Sequence, residues 1–392
     1  MRFAIGLGVL ALVATGHGEP RFVGAGACAS RTCHGADVPR DDRRDADGRP
    51  TVRHDEYTVW SRHDPHRRAY QALCTPAGLA IARRLGMVGA HADASRWPKE
   101  ARDAERCLDC HALVPPGVRG TPAEDAWLAD GVSCESCHGA AGGWLARHTA
   151  TTRADSVRAG MVETMIPARA AEAACLRCHV GTRERRVDHD LLAAGHPVLA
   201  FELDYYARNM PAHWNVHAGN AGWGAPFLTG HVSALRASDG LRGHGGPWPD
   251  FALYDCAACH HEYRRYGREP ARDGDGVVTG HPPPDRARER VLAVVLDGAP
   301  LAIAEDDPPT GVPAAALRRV VANADRLAAA GHATALQTYF AVDALVHHGR
   351  TDGASPARER ALDRLAADVR RREAYDAHRF ARDLTALAPF VP

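Results

Sequence analysis

The sequence predicts a mainly α fold with little regular sheet. Apolar residues recur with helical periodicity over residues 56–86 and again from residue 285 to the C-terminal end. In the rest of the chain, glycine and proline are frequent and apolar runs are short, so little regular sheet is expected. The 392 residues are enough for two domains in addition to an N-terminal leader.

Residues 1–18 have the pattern of a secretory signal peptide. A basic start at Met1-Arg2 precedes an apolar stretch from Phe3 to Val13, and small residues follow as far as Gly18. The stretch is too short to span a bilayer comfortably, and no later apolar run approaches about twenty residues. We therefore expect an exported, periplasmic protein without stable membrane insertion. An uncleaved anchor is the alternative, because the stretch has no clear Ala-x-Ala cleavage site.

Five cysteine pairs, each ending in Cys-His, lie within residues 19–282. They use ten of the eleven cysteines, and four of them have the spacing Cys-x-x-Cys-His. Numbered along the chain, the five motifs are Cys28-x4-Cys33-His34, Cys107-x2-Cys110-His111, Cys134-x2-Cys137-His138, Cys175-x2-Cys178-His179 and Cys256-x2-Cys259-His260.

The spacing of these motifs fits covalent attachment of haem. Two thiols add across the two vinyl groups of the porphyrin, and the following histidine ligates the iron. In a helical turn, Cys at i and i+3 and His at i+4 point to one side, so that one porphyrin can contact all three. The sequence therefore predicts a multihaem c-type cytochrome with five haems, in a pentahaem domain over residues 19–282.

Zinc sites and disulfides are the alternatives for paired cysteines. Neither gives a reason for a histidine directly after the second cysteine in every motif. Motif one is the least certain, because its four-residue gap takes Cys28 off the helical face of Cys33 and His34 and must loop out. Its alternative is a motif that has lost its haem and keeps a Cys28–Cys33 disulfide.

Residues 283–392 contain no such motif and predict a helical region. After the run Pro282-Pro283-Pro284, one apolar stripe ends at Gly331 and a second ends at Gly349. Ser355-Pro356 opens a third helix. We expect this region to pack against the haem domain as a cap, in preference to a role in docking a partner.

Four stretches resemble the cytochrome c-554 family over about residues 22–265. The most specific are Cys-Glu-Ser-Cys-His-Gly at 134–139 and Gly-His-Pro at 195–197. The stretches at 60–70 and 254–261, Trp144 with His148, and Phe-Glu-Leu at 201–203 also fit. The resemblance implies a mainly helical fold packed around closely spaced haems, most with two axial histidines.

The second axial ligand of each iron must come from elsewhere in the chain. Histidine is the favoured donor, since there are only five methionines including the initiator. By position in the family pattern, His66, His148 and His196 are the best candidates, and His189 and His213 are further ones. Each could instead be an ordinary surface or core histidine.

Electron transfer between redox proteins is the predicted function. The balance of 48 basic and 48 acidic residues argues against nucleic acid as a partner. The alternative is an oxidoreductase that acts on a small nitrogen compound at one open haem, although no Cys-x-x-Cys-Lys motif is present. A haem-based sensor or storage protein is a third class. It is disfavoured because five haems are more than sensing needs.

Overall fold

The computed structural model describes residues 20–40, 52–101, 103–214, 226–243, 250–256, 259–260, 284–298, 315–347 and 355–391. Over these ranges the chain is mainly helical, as predicted, and forms no strand apart from an isolated bridge between Tyr254 and Pro284. None of the helices in these ranges is long and apolar enough to cross a membrane. The predicted signal peptide and most of the proline run lie outside the described residues.

Of the first six helices, all but the first contribute side chains to a small apolar core around Trp97. Their bounds are α1 Glu56–His63, α2 Ala69–Leu73, α3 Pro76–Arg84, α4 Trp97–Glu100, α5 Glu105–His111 and α6 Glu124–Asp130. The indole Nε1 of Trp97 donates to the carbonyl of Leu73 at 2.8 Å. Helical structure over residues 56–86 is confirmed, but the first predicted helix is interrupted after His63. Asp64 is extended there, because Pro65 disfavours a helical residue before it.

Seven further helices carry or flank motifs three and four. Their bounds are α7 Cys134–His138, α8 Arg153–Arg158, α9 Pro167–Ala170, α10 Leu176–His179, α11 His189–Ala193, α12 Leu203–Asn209 and α13 Pro226–Gly243. A π-helical turn, Ala171–Cys175, joins α9 to α10. Such turns widen a helix locally and are frequent at functional sites. This one holds the first cysteine of motif four.

The C-terminal helices confirm the helical region predicted from the apolar stripes. Their bounds are α14 Ala287–Val295, α15 Ala316–Ala322, α16 Ala324–Ala329, α17 His332–His347, α18 Pro356–Val369 and α19 Ala377–Thr385. Gly331 takes a φ of 96° between α16 and α17, a conformation that glycine adopts without steric cost. Helix α18 begins with Pro356 in its first turn, where a missing N–H costs nothing.

The C-terminal helices pack against the motif-bearing part of the chain. Phe227 and Leu228 of α13 belong to the same buried cluster as the apolar side chains of α14 to α19. On α12, the ring of Tyr205 lies 4.8 Å from that of Phe340 in α17, and Arg208 pairs with Asp343. These contacts support the expected role as a cap, while the boundary at residue 283 stays a prediction.

Candidate haem-binding site

Four of the five motifs are held in helical turns. Helix α5 ends at His111, α7 consists of motif three, and α10 ends at His179. In motif five, the backbone N–H of His260 donates to the carbonyl of Cys256 at 2.7 Å, which is the bond of one helical turn. The two cysteines and the histidine of each motif therefore share a side, as predicted.

Motif one accommodates its longer gap as a wide turn. The N–H of His34 donates to the carbonyl of Cys28 at 3.3 Å, across a span two residues longer than in motif five. A glycine follows because the chain folds tightly back on itself, and a Cβ at Gly35 would lie 1.9 Å from the carbonyl oxygen of Ala29. The buried side chain of His54 also bonds through Nδ1 to the Cys33 carbonyl, at 2.8 Å. Cys28 and Cys33 are free thiols.

Four motif histidines face four of the histidines predicted as second ligands. The ring centres are separated by 6.3 Å for His34 and His148, 6.1 Å for His179 and His66, 6.4 Å for His111 and His196, and 6.2 Å for His260 and His189. Two metal–nitrogen bonds of about 2 Å, with each nitrogen about 1 Å from its ring centre, give a separation of about 6 Å. The four pairs are therefore spaced for one metal ion between them.

His138 and His213 are the remaining motif histidine and the remaining predicted second ligand. Burial, and after it the charge of His213, lowers the pKa of His138 to about 4. Burial also lowers the pKa of His213, whose Nδ1 lies 3.4 Å from the carbonyl oxygen of Pro211. Ring-to-ring contact with a motif histidine is therefore found for four of the five predicted second ligands.

The planes of the facing rings fall into two classes. The two rings are 25° from parallel for His34 with His148 and 24° for His260 with His189. They are 88° apart for His179 with His66 and 85° for His111 with His196. Motifs one and five therefore have near-parallel pairs, whereas motifs two and four have near-perpendicular pairs.

Hydrogen bonds donated by Nδ1–H orient several of these rings and leave Nε2 for a metal. Carbonyl oxygens lie near Nδ1 in His111 (Ala69, 2.9 Å), His148 (Leu145, 2.6 Å) and His196 (Pro197, 2.8 Å). Carboxylates take this place in His34, whose Nδ1 lies 3.0 Å from Oε2 of Glu56, and in His66, whose Nδ1 lies 2.9 Å from Oδ1 of Asp64.

The carboxylates make two of the rings electrostatically different from the others. The hydrogen bond with Glu56 raises the pKa of His34, and that with Asp64 raises the pKa of His66. Burial lowers the pKa of His111, and it lowers that of His179 to about 4. Positive charge is therefore favoured at His34 and His66 and disfavoured at the two buried motif histidines.

A cavity of about 1850 Å³ lies between motifs two, three and four. This exceeds the volume of about 300–1,000 Å³ that is usual for one small-molecule site. Its lining includes Cys107, Cys110, Cys137, Cys175 and Cys178 together with His66, His111, His179 and His196. The cavity is thus large enough for more than one cofactor, and the predicted attachment residues line it.

Two buried donors near the ligands have no partner within the protein. They are Nε of Arg185, which lines the cavity, and Nε1 of Trp144, whose ring lies 5.7 Å from that of His148. Buried N–H groups are nearly always hydrogen-bonded, so these two fit a bound group that carries acceptors. The carboxylates of haem propionates are such acceptors, and the donor set of this region therefore fits haem.

Neighbouring motifs contact one another through the helices that carry them. Oε2 of Glu135 in motif three accepts the N–H of Gly24, which precedes motif one, at 2.8 Å. Helix α7 of motif three packs against the π-helical turn Ala171–Cys175 of motif four, and α10 of motif four packs against α5 of motif two. Motif two is joined to motif five through α11 and the turn after it, which hold both His189 and His196.

Three residues of the site, Asp64, Glu56 and Arg185, were missed by the sequence analysis, and Trp144 was named only for its resemblance to the family. Asp64 stands two residues before His66, so its position could have indicated the contact. Glu56 and Arg185 gave no comparable signal, because only the folding of the chain brings them to the ligands. A buried charged or polar side chain of this kind cannot be distinguished in sequence from a solvated one.

Comparison with known proteins identifies one family. The family described as cytochrome c554 and c-prime matches residues 31–139. The matched stretch contains Cys33 and His34 and the whole of motifs two and three. The resemblance stated from the sequence is confirmed over these residues, and this family implies covalently bound haem c. No curated protein and no solved structure matches the chain.

Proposed function

We propose that this c-type cytochrome is exported to the periplasm and carries electrons between redox partners through five covalently bound haems. The observation that carries the proposal is the pairing of histidines. Four of the five motif histidines each face a different predicted second ligand, at the spacing of a bridged metal.

Paired imidazoles favour electron transfer over chemistry at the metal. A haem held by two of these histidines would supply an iron that gains and loses one electron and would offer no free position to a substrate. The chain's own contribution is to hold each pair of rings in place, through the helical turn of the motif and the Nδ1 hydrogen bonds of the rings. Arg185 and Trp144 supply donors for the propionates.

The contacts between motifs give the proposed order of transfer. Glu135 of motif three binds the chain just before motif one, motif three packs against motif four, and motif four packs against motif two. Motif five follows motif two, since α11 and its turn supply second ligands to both. The order one, three, four, two, five places motifs one and five at the two ends.

The two ends are the proposed meeting points with a donor and an acceptor. Redox proteins exchange electrons in small, transient contacts. The chain has no net formal charge with histidine neutral, which does not favour nucleic acid or a strongly charged surface as a partner.

The second candidate function is reaction of a substrate at an open haem, and the haem of motif three is the candidate for it. The pair of His138 and His213 is supported by electrostatic interaction rather than by a ring-to-ring distance. The neighbouring Cys137 and Ser136 line the large cavity, through which a small molecule could approach. If one iron takes a substrate, it is the iron at motif three.

A turnover assay separates the two functions. The purified haem protein is mixed with a reduced viologen dye, first alone and then with nitrite, hydroxylamine or nitric oxide. We expect rapid oxidation of the dye by the haems and no sustained consumption with any of the three compounds. Sustained turnover above about one per second, a modest value for an enzyme, would overturn the carrier function in favour of catalysis.

A further inference from the structure

Two carboxylates bind the predicted ligands from the side away from the metal. Oε2 of Glu56 lies 3.0 Å from Nδ1 of His34, and Oδ1 of Asp64 lies 2.9 Å from Nδ1 of His66. We infer that Glu56 and Asp64 are positioning residues that hold the haems of motifs one and four at lower redox potentials than the same haems would have with neutral partners. This inference rests on the proposed function, because it assigns potentials to its haems.

Both carboxylates are fixed by the surrounding chain. Glu56 stands at the first position of α1, and its Oε1 accepts the backbone N–H of Arg53 at 2.6 Å. The guanidinium of Arg53 binds Asp55. Asp64 is 2% exposed, and its Oδ1 also accepts the backbone N–H of His66 at 2.9 Å. Each carboxylate is therefore held against its histidine rather than being a mobile surface charge.

The direction of the effect follows from charge. Oxidised iron carries one more positive charge than reduced iron. A carboxylate that accepts a hydrogen bond from Nδ1–H makes the imidazole a stronger electron donor to the iron. This stabilises the oxidised form, so the redox potential of the haem falls. The carbonyl partners of His111 and His196 at motif two have no net charge and produce a smaller effect. In the proposed order, electrons therefore leave motif four for motif two in the favourable direction.

The two haems can be distinguished by their spectra. Parallel imidazole planes donate into one iron d orbital and split the pair of π-type orbitals, which gives a rhombic low-spin ferric signal. Perpendicular planes donate equally into both orbitals and give a highly anisotropic signal. Motif one has a near-parallel pair and motif four a near-perpendicular pair, so the two substitutions should act on different signals.

The test is a potentiometric titration followed by electron paramagnetic resonance on the complete haem protein. The variants are Glu56→Gln and Asp64→Asn, which keep an acceptor oxygen and remove the charge. We expect Glu56→Gln to raise the midpoint potential of one rhombic component. Asp64→Asn should raise that of one highly anisotropic component. We expect each shift to be equivalent to about a tenfold change in the oxidation equilibrium, which corresponds to about 59 mV for one electron.

Control variants distinguish this role from a structural one. Glu359→Gln removes a carboxylate that pairs with Arg358 on α18 among the C-terminal helices, and it should change no midpoint potential. Glu56→Asp restores the charge and should return the potential towards the original value. Unchanged midpoints in both amide variants would overturn the inference, and so would a high-spin signal, which would mean that the carboxylate keeps the histidine on the iron.

The proposed function can fail separately. It fails if the unmodified protein contains fewer than five haems or turns over a substrate, and the haem count and the turnover assay measure this directly. The potentiometric titration measures the shift in redox potential at motifs one and four whether or not the proposed function holds.

Discussion

His189 and His260 face each other with ring centres 6.2 Å apart and planes 24° from parallel. His260 belongs to motif five, which lies outside the stretch that matches the cytochrome c554 and c-prime family. His189 begins α11, and its backbone N–H donates to Asp250 at 3.1 Å. The pair therefore joins motif five to the segment that also holds His196 opposite motif two. This relationship extends the histidine pairing beyond the part of the chain that the family covers.

The ring planes predict two classes of low-spin haem in the oxidised protein. Motifs one and five have near-parallel pairs, and motifs two and four have near-perpendicular pairs. We expect the electron paramagnetic resonance spectrum to contain two rhombic and two highly anisotropic components of equal intensity, with the haem of motif three as a fifth signal. A spectrum in which all components are rhombic would contradict the arrangement of the rings.

Removal of a facing histidine should open one iron. In His189→Ala, the haem of motif five loses its second ligand, so we expect one rhombic component to be replaced by a high-spin signal and carbon monoxide to bind after reduction. The same substitution at His196 should instead remove a highly anisotropic component. His91→Ala, at an exposed histidine away from the pairs, is the control and should leave the spectrum unchanged. A fully low-spin spectrum in His189→Ala would exclude that residue as a ligand.

The number of haems can be measured by mass. We expect the intact mature protein to exceed its polypeptide mass by five haem units, one for each motif. The double variant Cys28→Ala, Cys33→Ala should lose one unit, because both thioether bonds of motif one are removed. Cys74→Ala, outside the motifs, should retain all five. Four units in the unmodified protein, with no loss in the double variant, would show that motif one carries no haem.

The sequence predicts the parts of the site that depend on local spacing. The motif cysteines and histidines share a side because one helical turn brings them together, and the helix that begins at Pro356 follows from apolar periodicity. The pairing of histidines could not be predicted, because it depends on contacts between distant segments. His66, for example, is held by a segment far along the chain, since Val132, just before motif three, donates its N–H to the His66 carbonyl at 3.0 Å.

Polar groups inside the fold were the least predictable from sequence. Glu202 and His231 are fully buried, and the partly buried Arg288 donates to the carbonyl of Phe201 at 2.7 Å and contacts Nδ1 of His231 at 3.1 Å. The ring of Phe201 stacks on His179 at 5.1 Å. This cluster connects the C-terminal helices to motif four. Glutamate and arginine are mostly exposed in proteins, so nothing in the sequence marks Glu202 and Arg288 as part of the interior.

The burial of Glu202 predicts a pH dependence of stability. Its carboxyl caps α12 by accepting the N–H groups of Asp204 at 3.1 Å and Tyr205 at 2.7 Å. Burial, and after it the charge of Asp204, raises the pKa of Glu202 to about 8. The unfolded chain releases this proton near the ordinary carboxyl value of about 4.3. Between the two values the folded state binds more protons, so the free energy of unfolding falls as pH rises.

Urea unfolding of the haem protein at pH 5, 6, 7 and 8 measures this effect. The contribution of Glu202 to the free energy of unfolding should fall by at most about 1.4 kcal/mol per pH unit, and its stabilising effect should be largely lost above pH 8. Glu202→Gln keeps an acceptor oxygen for the cap but cannot ionise. The urea concentration at its unfolding midpoint should therefore depend less on pH than that of the unmodified protein. Glu163→Gln is the matched control. Burial by itself would raise the pKa of Glu163, but the hydrogen bond with Arg153 contributes to a net lowering of this pKa. The carboxyl of Glu163 therefore stays ionised from pH 5 to pH 8. Equal pH dependence in Glu202→Gln and the unmodified protein would show that Glu202 is already ionised in the folded state, with Arg288 as its counter-charge.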